Sequence, residues 1–145
     1  MVLLGTFARY PDGDRQVQAI TAEVRAAGDM RAFGERRAAK LGLAAARLHE
    51  TIEQMACKSV ECYLASTQAT WTGDYRDVLA SINVPVLVAY GEHDVVAPRP
   101  LSEEIAWAIP GAKLAMVPAA GHVANADNPA AFNELLRGFL RDTAH

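Results

Sequence analysis

The chain has 145 residues, of which 51% are hydrophobic and 21% charged, and its 14 Lys+Arg against 17 Asp+Glu leave a net charge of −3. That composition excludes wholesale disorder, and a chain this long buries about 70% of its unfolded surface as one domain without staples. The acidic balance and the absence of any longer basic run than Arg36-Arg37 argue against nucleic acid as a partner, and no apolar stretch is long enough to cross a membrane.

Val2-Leu3-Leu4 followed by Gly5-Thr6 reads as a buried strand ending in a turn. The opening Met-Val-Leu-Leu-Gly is apolar but too short and uncharged for a signal peptide. Pro11-Asp12-Gly13-Asp14 is a turn in which either aspartate can cap the next helix. Val17, Ile20 and Val24 then recur at helical spacing, and Gly28 ends that helix. Asp29 caps a second helix with Met30 and Phe33 on its inner face and Glu35-Arg36-Arg37 in solvent. After a break at Gly42, Leu48, Ile52 and Met55 form a third stripe, which Val60, Tyr63, Leu64 and Thr67 continue in the same or a fourth helix. Asp74 caps a short helix carrying Val78, Leu79 and Ile82. Residues 11–82 are therefore expected to be a helical region behind a first strand in residues 1–10.

The pattern changes at Asn83. Val84–Tyr90 is β-branched and apolar throughout, the signature of a strand buried on both faces, with Pro85 tolerated near its start. Gly91-Glu92-His93-Asp94 is a turn, Pro98 to Ile109 a helix stopped by Pro110-Gly111, and Ala112–Val117 a further strand. Pro118 to Asn128 reads as a loop, and Pro129 opens a last helix with Phe132, Leu135, Leu136, Phe139 and Leu140 apolar. Residues 83–145 thus form a βαβα unit with a parallel sheet. Trp71 and Trp107 read as packing residues.

Ligands of open parallel sheets bind beyond the carboxyl ends of the strands. Asp94 and His122 stand there, on the loops leaving the two strands. If these strands are neighbours, Asp94 can accept a hydrogen bond from the His122 imidazole, fix its tautomer and stabilise the imidazolium formed in general-base catalysis. Taken singly, Asp94 reads more readily as a turn residue satisfying its own backbone, and His122 as a loop histidine; the pairing at equivalent strand ends is what favours the functional reading. His93 beside them gives at most a poor metal set, because adjacent residues rarely converge on one ion, and no metal is expected. His49 and His145 belong to no constellation. Cys57 and Cys62 have neither the C-x-x-C spacing of a redox site nor metal spacing, and read as free thiols in a reducing cytoplasm.

The motifs Ile82-x-Val84-Pro85-Val86-Leu87-Val88-x-x-Gly91-x-x-Asp94-x-x-x-Pro98, Ile109-Pro110-Gly111-Ala112, Gly121-His122 and Asn128-Pro129 resemble the C-terminal part of an α/β-hydrolase, in the manner of the cap-bearing esterases and enol-lactone hydrolases. The resemblance implies a truncated α/β-hydrolase fold of about three parallel strands with flanking helices and a helical cap. It implies Asp94 as the acid and His122 as the base, no cofactor, and a small carboxylic ester or lactone as substrate. The family's Gly-x-Ser-x-Gly elbow is absent: none of Ser59, Ser66, Ser81 and Ser102 has flanking glycines. In family order the elbow and the oxyanion loop precede residue 1, so the chain looks like the second half of a hydrolase.

Candidate nucleophiles are then Ser66, Ser102, Cys57, Cys62 or water activated by His122, although Ser102 falls on the helix after Asp94 and is poorly placed to meet the base. Met30, Phe33, Met55 and Tyr63 are candidates to line an acyl pocket, with core packing as their ordinary alternative. Two other readings are a non-catalytic small-molecule binding module and one half of a complemented enzyme. In the family's strand order Val2–Leu4 lacks its outer neighbour, and an exposed apolar edge of this kind predicts a homodimer.

Overall fold

The computed structural model describes residues 1–41 and 45–143. The break expected at Gly42, and His145, lie outside the described residues. The chain forms two compact units, one of Met1–Ala8 with Asp74–His145 and the other of Arg9–Gly73.

The first unit is built on a parallel sheet of order β1-β2-β3, formed by β1 (Val2–Leu4), β2 (Leu87–Gly91) and β3 (Lys113–Val117). Val2 pairs in register with Leu87, and Leu87 with Lys113. Every residue of the central strand is buried, which is why its sequence shows no alternation. Successive side chains point to opposite faces of the sheet, and each face has its own core. Leu3, Val86 and Val88 pack with Ile105 and Ile109 around α6 (Arg99–Ala108). Leu4 and Val117 pack with Ala120, Ala124, Phe132 and Leu135 toward α7 (Ala124–Asp127) and α8 (Pro129–Thr143).

Local chemistry sets the element ends. Pro98 precedes α6, and Gly111 takes a φ of +72° just beyond it. The Asn128 side chain accepts from the Ala131 N–H at 3.2 Å and opens α8 behind Pro129. β2 is shorter than the apolar run that encodes it, since Val84 and Pro85 stay exposed before the ladder begins and Pro85 has no N–H to give to it. The segment expected to be a plain loop contains the short helix α7. Trp107 is 80% exposed and is not a packing residue.

The second unit is all helix: α1 (Gly13–Ala27), α2 (Met30–Leu41), α3 (Ala45–Ala56) and α4 (Val60–Thr72). Gly28, at φ +86°, ends α1. Asp29 caps α2 by accepting the Ala32 N–H at 2.8 Å, and Ser59 caps α4 by accepting the Cys62 N–H at 3.1 Å, so the third and fourth stripes are separate helices. α2 packs on α3 and α1 on α4. Trp71 is buried, its ring edge-on to Tyr10 with centroids 4.6 Å apart.

The helical unit ends at Gly73, short of the expected boundary at residue 82, and takes in Arg9 and Tyr10 at its start. The short helix α5 (Arg76–Leu79) belongs to the sheet unit, because Leu79 and Ile82 pack with Val86, Ile105 and Ile109. The Tyr75 N–H donates to Ala8 O at 2.9 Å, where the chain leaves and re-enters that unit. No helix among the described residues is long and apolar enough to cross a membrane.

Candidate active site

β2 and β3 are neighbours, and the loops at their carboxyl ends carry Asp94 and His122. His122 Nδ1 lies 3.0 Å from Asp94 Oδ2. The other carboxylate oxygen, Oδ1, accepts the Val96 N–H at 2.8 Å and the Ala97 N–H at 2.9 Å. The Asp94 side chain is fully buried, whereas that of His122 is 32% exposed. Burial alone would raise the Asp94 pKa, but the hydrogen bonds from His122, Ala97 and Val96 together outweigh it and hold the carboxyl below its ordinary value. A carboxylate kept ionised only accepts hydrogen bonds. Nδ1 of His122 is therefore the donor of this contact, and in the neutral imidazole that tautomer leaves Nε2 with the lone pair a general base needs.

The backbone around the pair is closely fitted. Gly5, at the end of β1, has a φ of +53°; a Cβ there would lie 3.0 Å from His122 O and 3.3 Å from Asp94 Oδ2. At the end of β2, a Cβ on Gly91 would lie 2.0 Å from Gly121 O. Glycine is the residue that lets the strand end approach the histidine loop this closely.

Residues 49–145 match the α/β-hydrolase family described as TAP-like protein. The chain belongs to this family. The solved structures similar to this TAP-like chain include a hydrolase from Pseudomonas aeruginosa PA01, 28% identical with a TM-score of 0.81, aligned over 96% of this chain and 54% of that one. They also include the enol-lactonase from Burkholderia xenovorans LB400, 26% identical with a TM-score of 0.82, aligned over 97% of this chain and 55% of that one. The candidate carbamate hydrolase RutD of Azorhizobium caulinodans is 42% identical over 66 residues, which are 46% of this chain and 25% of RutD. The TAP-like chain thus spans about half the length of the solved structures it matches, and its match to RutD covers a quarter of that protein.

The remaining sequence candidates fall in different places. Ser102 lies on α6 with 0% exposure, and its hydroxyl has no hydrogen-bond partner. A group sealed from solvent cannot reach a substrate, which removes Ser102 from the nucleophile candidates. Ser66, Cys57 and Cys62 are exposed on the helical unit, and both cysteines are free. Of the expected pocket residues, Met30 and Phe33 are buried. Phe33 packs against Tyr63 with centroids 5.2 Å apart, and a Cβ on Gly34 would lie 2.9 Å from Met55 Cβ. Met30 and Phe33 are therefore core residues, and Tyr63 and Met55 each meet α2, at Phe33 and at Gly34. His93 is exposed and stands 3.8 Å from Glu92. Among the described residues no group of three His, Cys, Asp or Glu is placed to hold a metal ion.

Three further side chains hold the histidine loop. Glu92 Oε2 accepts the Ala119 N–H at 2.9 Å, Asp127 Oδ2 accepts the Gly121 N–H at 2.9 Å, and Asn128 Nδ2 donates to Pro118 O at 2.9 Å. Only Asn128-Pro129 carries a signal, as part of the family motif.

Proposed function

We propose that this chain carries the acid and base of a hydrolase acting on small carboxylic esters or lactones. The observation that carries the reading is the Asp94–His122 hydrogen bond at 3.0 Å, with the carboxyl buried and its second oxygen held by two backbone N–H groups. In this mechanism Asp94 orients the imidazole and stabilises its protonated form. His122 Nε2 removes a proton from the attacking oxygen or sulfur as the bond to the substrate carbonyl forms, then returns it to the leaving alkoxide. The attacking group is water, or a serine or cysteine whose acyl intermediate is then hydrolysed by a water that His122 activates in turn. The names of the similar proteins, an enol-lactonase and a candidate carbamate hydrolase, are in keeping with acyl substrates of this kind.

The test is hydrolysis of p-nitrophenyl butyrate by the purified chain, corrected for the buffer rate, beside His122→Ala. The wild type is expected to exceed the buffer rate, and the variant to lose about 10²–10⁴-fold, the usual worth of a positioned general base. Equal rates in wild type and variant above the buffer rate would dismiss His122 as the base. Neither protein exceeding buffer would favour the second reading, a binding module or one half of a complemented enzyme. That reading draws on the absence of a Gly-x-Ser-x-Gly motif from the sequence.

A further inference from the structure

The loop that delivers His122 is tied down at five successive residues. Val117 O accepts the Glu92 N–H at 3.0 Å, and Ala120 O accepts the His93 N–H at 2.8 Å. Pro118 O accepts from Asn128 Nδ2. The N–H groups of Ala119 and Gly121 each end on a carboxylate, Glu92 and Asp127 respectively. Ala119 has a φ of +49°, a left-handed conformation that a residue with a Cβ adopts only when its surroundings hold it there. Asp127 reaches back from the end of α7 to Gly121, so one hydrogen bond closes a ring of chain that contains His122. Hydrogen bonds to an ionised acceptor are stronger than neutral ones.

We propose that Glu92 and Asp127 are positioning residues for His122. The Glu92 carboxylate holds the left-handed turn at Ala119, and the Asp127 carboxylate holds Gly121, the residue next to the histidine. The polar contact recorded for the imidazole is with Asp94, not with either of them. Together they set the direction in which His122 leaves the loop and so bring Nδ1 onto Asp94. The inference rests on the Asp94–His122 pair of the proposed function, and its readout needs no turnover.

The experiment is nitrogen-15 NMR of the histidine imidazoles with amide hydrogen exchange. In the wild type, His122 is expected as the Nδ1–H tautomer with a downfield Nδ1 proton, and the Ala119 and Gly121 amides are expected to be protected. Glu92→Ala and Asp127→Ala should each weaken or abolish the downfield signal. In each variant the amide that lost its acceptor should exchange at least about tenfold faster, the factor that matches a hydrogen bond to a charged group. Glu92→Gln and Asp127→Asn keep an acceptor oxygen and should keep the signal. Folded alanine variants with an unchanged His122 signal would overturn the proposal, as would amide variants that behave like the alanine ones. Should the alanine variants fail to fold, unprotected Ala119 and Gly121 amides in the wild type would overturn it alone. A wild type in the Nε2–H tautomer would instead remove the Asp94–His122 pair itself.

Discussion

At the scale of the residue, Asp94 shows how a buried charge is made tolerable. One oxygen takes two backbone N–H groups and the other takes the imidazole, so the ionised form is favoured despite burial. A carboxyl whose folded pKa lies below its unfolded value of about 3.9 adds stability that is fully present above that value. The contribution is lost as pH falls through the lower, folded value. Asp94→Asn keeps an oxygen for Val96 and Ala97 but cannot titrate. Urea midpoints followed down from about pH 5 to pH 2 should therefore fall less steeply in Asp94→Asn than in wild type. Parallel acid limbs would show that Asp94 is not held ionised by the fold. Ser102 is the opposite case, a hydroxyl at 0% exposure with no partner. Its chemistry suggests a nucleophile, and its place on the inner side of α6 denies it that role.

At the scale of the element, close approaches are made by residues that carry no chemistry. Gly13 opens α1 where a Cβ would lie 1.9 Å from the Trp71 carbonyl oxygen of α4. That neighbour is backbone and cannot swing aside. Gly13→Ala should cost about 1–3 kcal/mol, as overpacking does, although alanine is the better helix former by about 1 kcal/mol. Thermal unfolding followed by circular dichroism measures the net effect, and an unchanged or raised midpoint would refute the close packing of α1 on α4. Gly34 against Met55 makes the same point between α2 and α3. The stripe of Met30, Phe33, Met55 and Tyr63 has the composition of an acyl pocket; Met30 and Phe33 are buried, while Met55 and Tyr63 stay half-exposed.

At the scale of the whole molecule, the sheet has two edges, and they differ. β3 carries Lys113, ion-paired with Asp142 at 2.7 Å, and a lysine on an edge strand discourages further pairing. β1 is Val-Leu-Leu with no charge, and among the described residues it pairs only with β2. We propose that two copies of the chain pair through the outer edge of β1, since a two-fold contact covers both edges at once. Light scattering at micromolar concentration should give twice the monomer mass, and Val2→Lys should return the monomer. A monomeric wild type would rule out this contact.

The sequence by itself determined what depends on neighbours along the chain. The period of the apolar residues marked the helices, the apolar run at Val84–Tyr90 marked the central strand, and Pro110-Gly111 and Asn128-Pro129 marked the element ends. Asp94 and His122 were legible because parallel strands deliver their following loops to one side of a sheet. Tertiary structure alone decided what depends on residues far apart. It drew the boundary at Gly73, since Leu79 and Ile82 find their apolar partners on the sheet side. It buried Ser102 and exposed Trp107, two residues on one helix whose sides become distinct only when the sheet covers one of them. It also brought Glu92 and Asp127 to the histidine loop. A carboxylate accepting a single backbone N–H leaves no periodicity and no spacing to read. Its partner is chosen by the path of the folded chain, and that path is a property of the packed sheet.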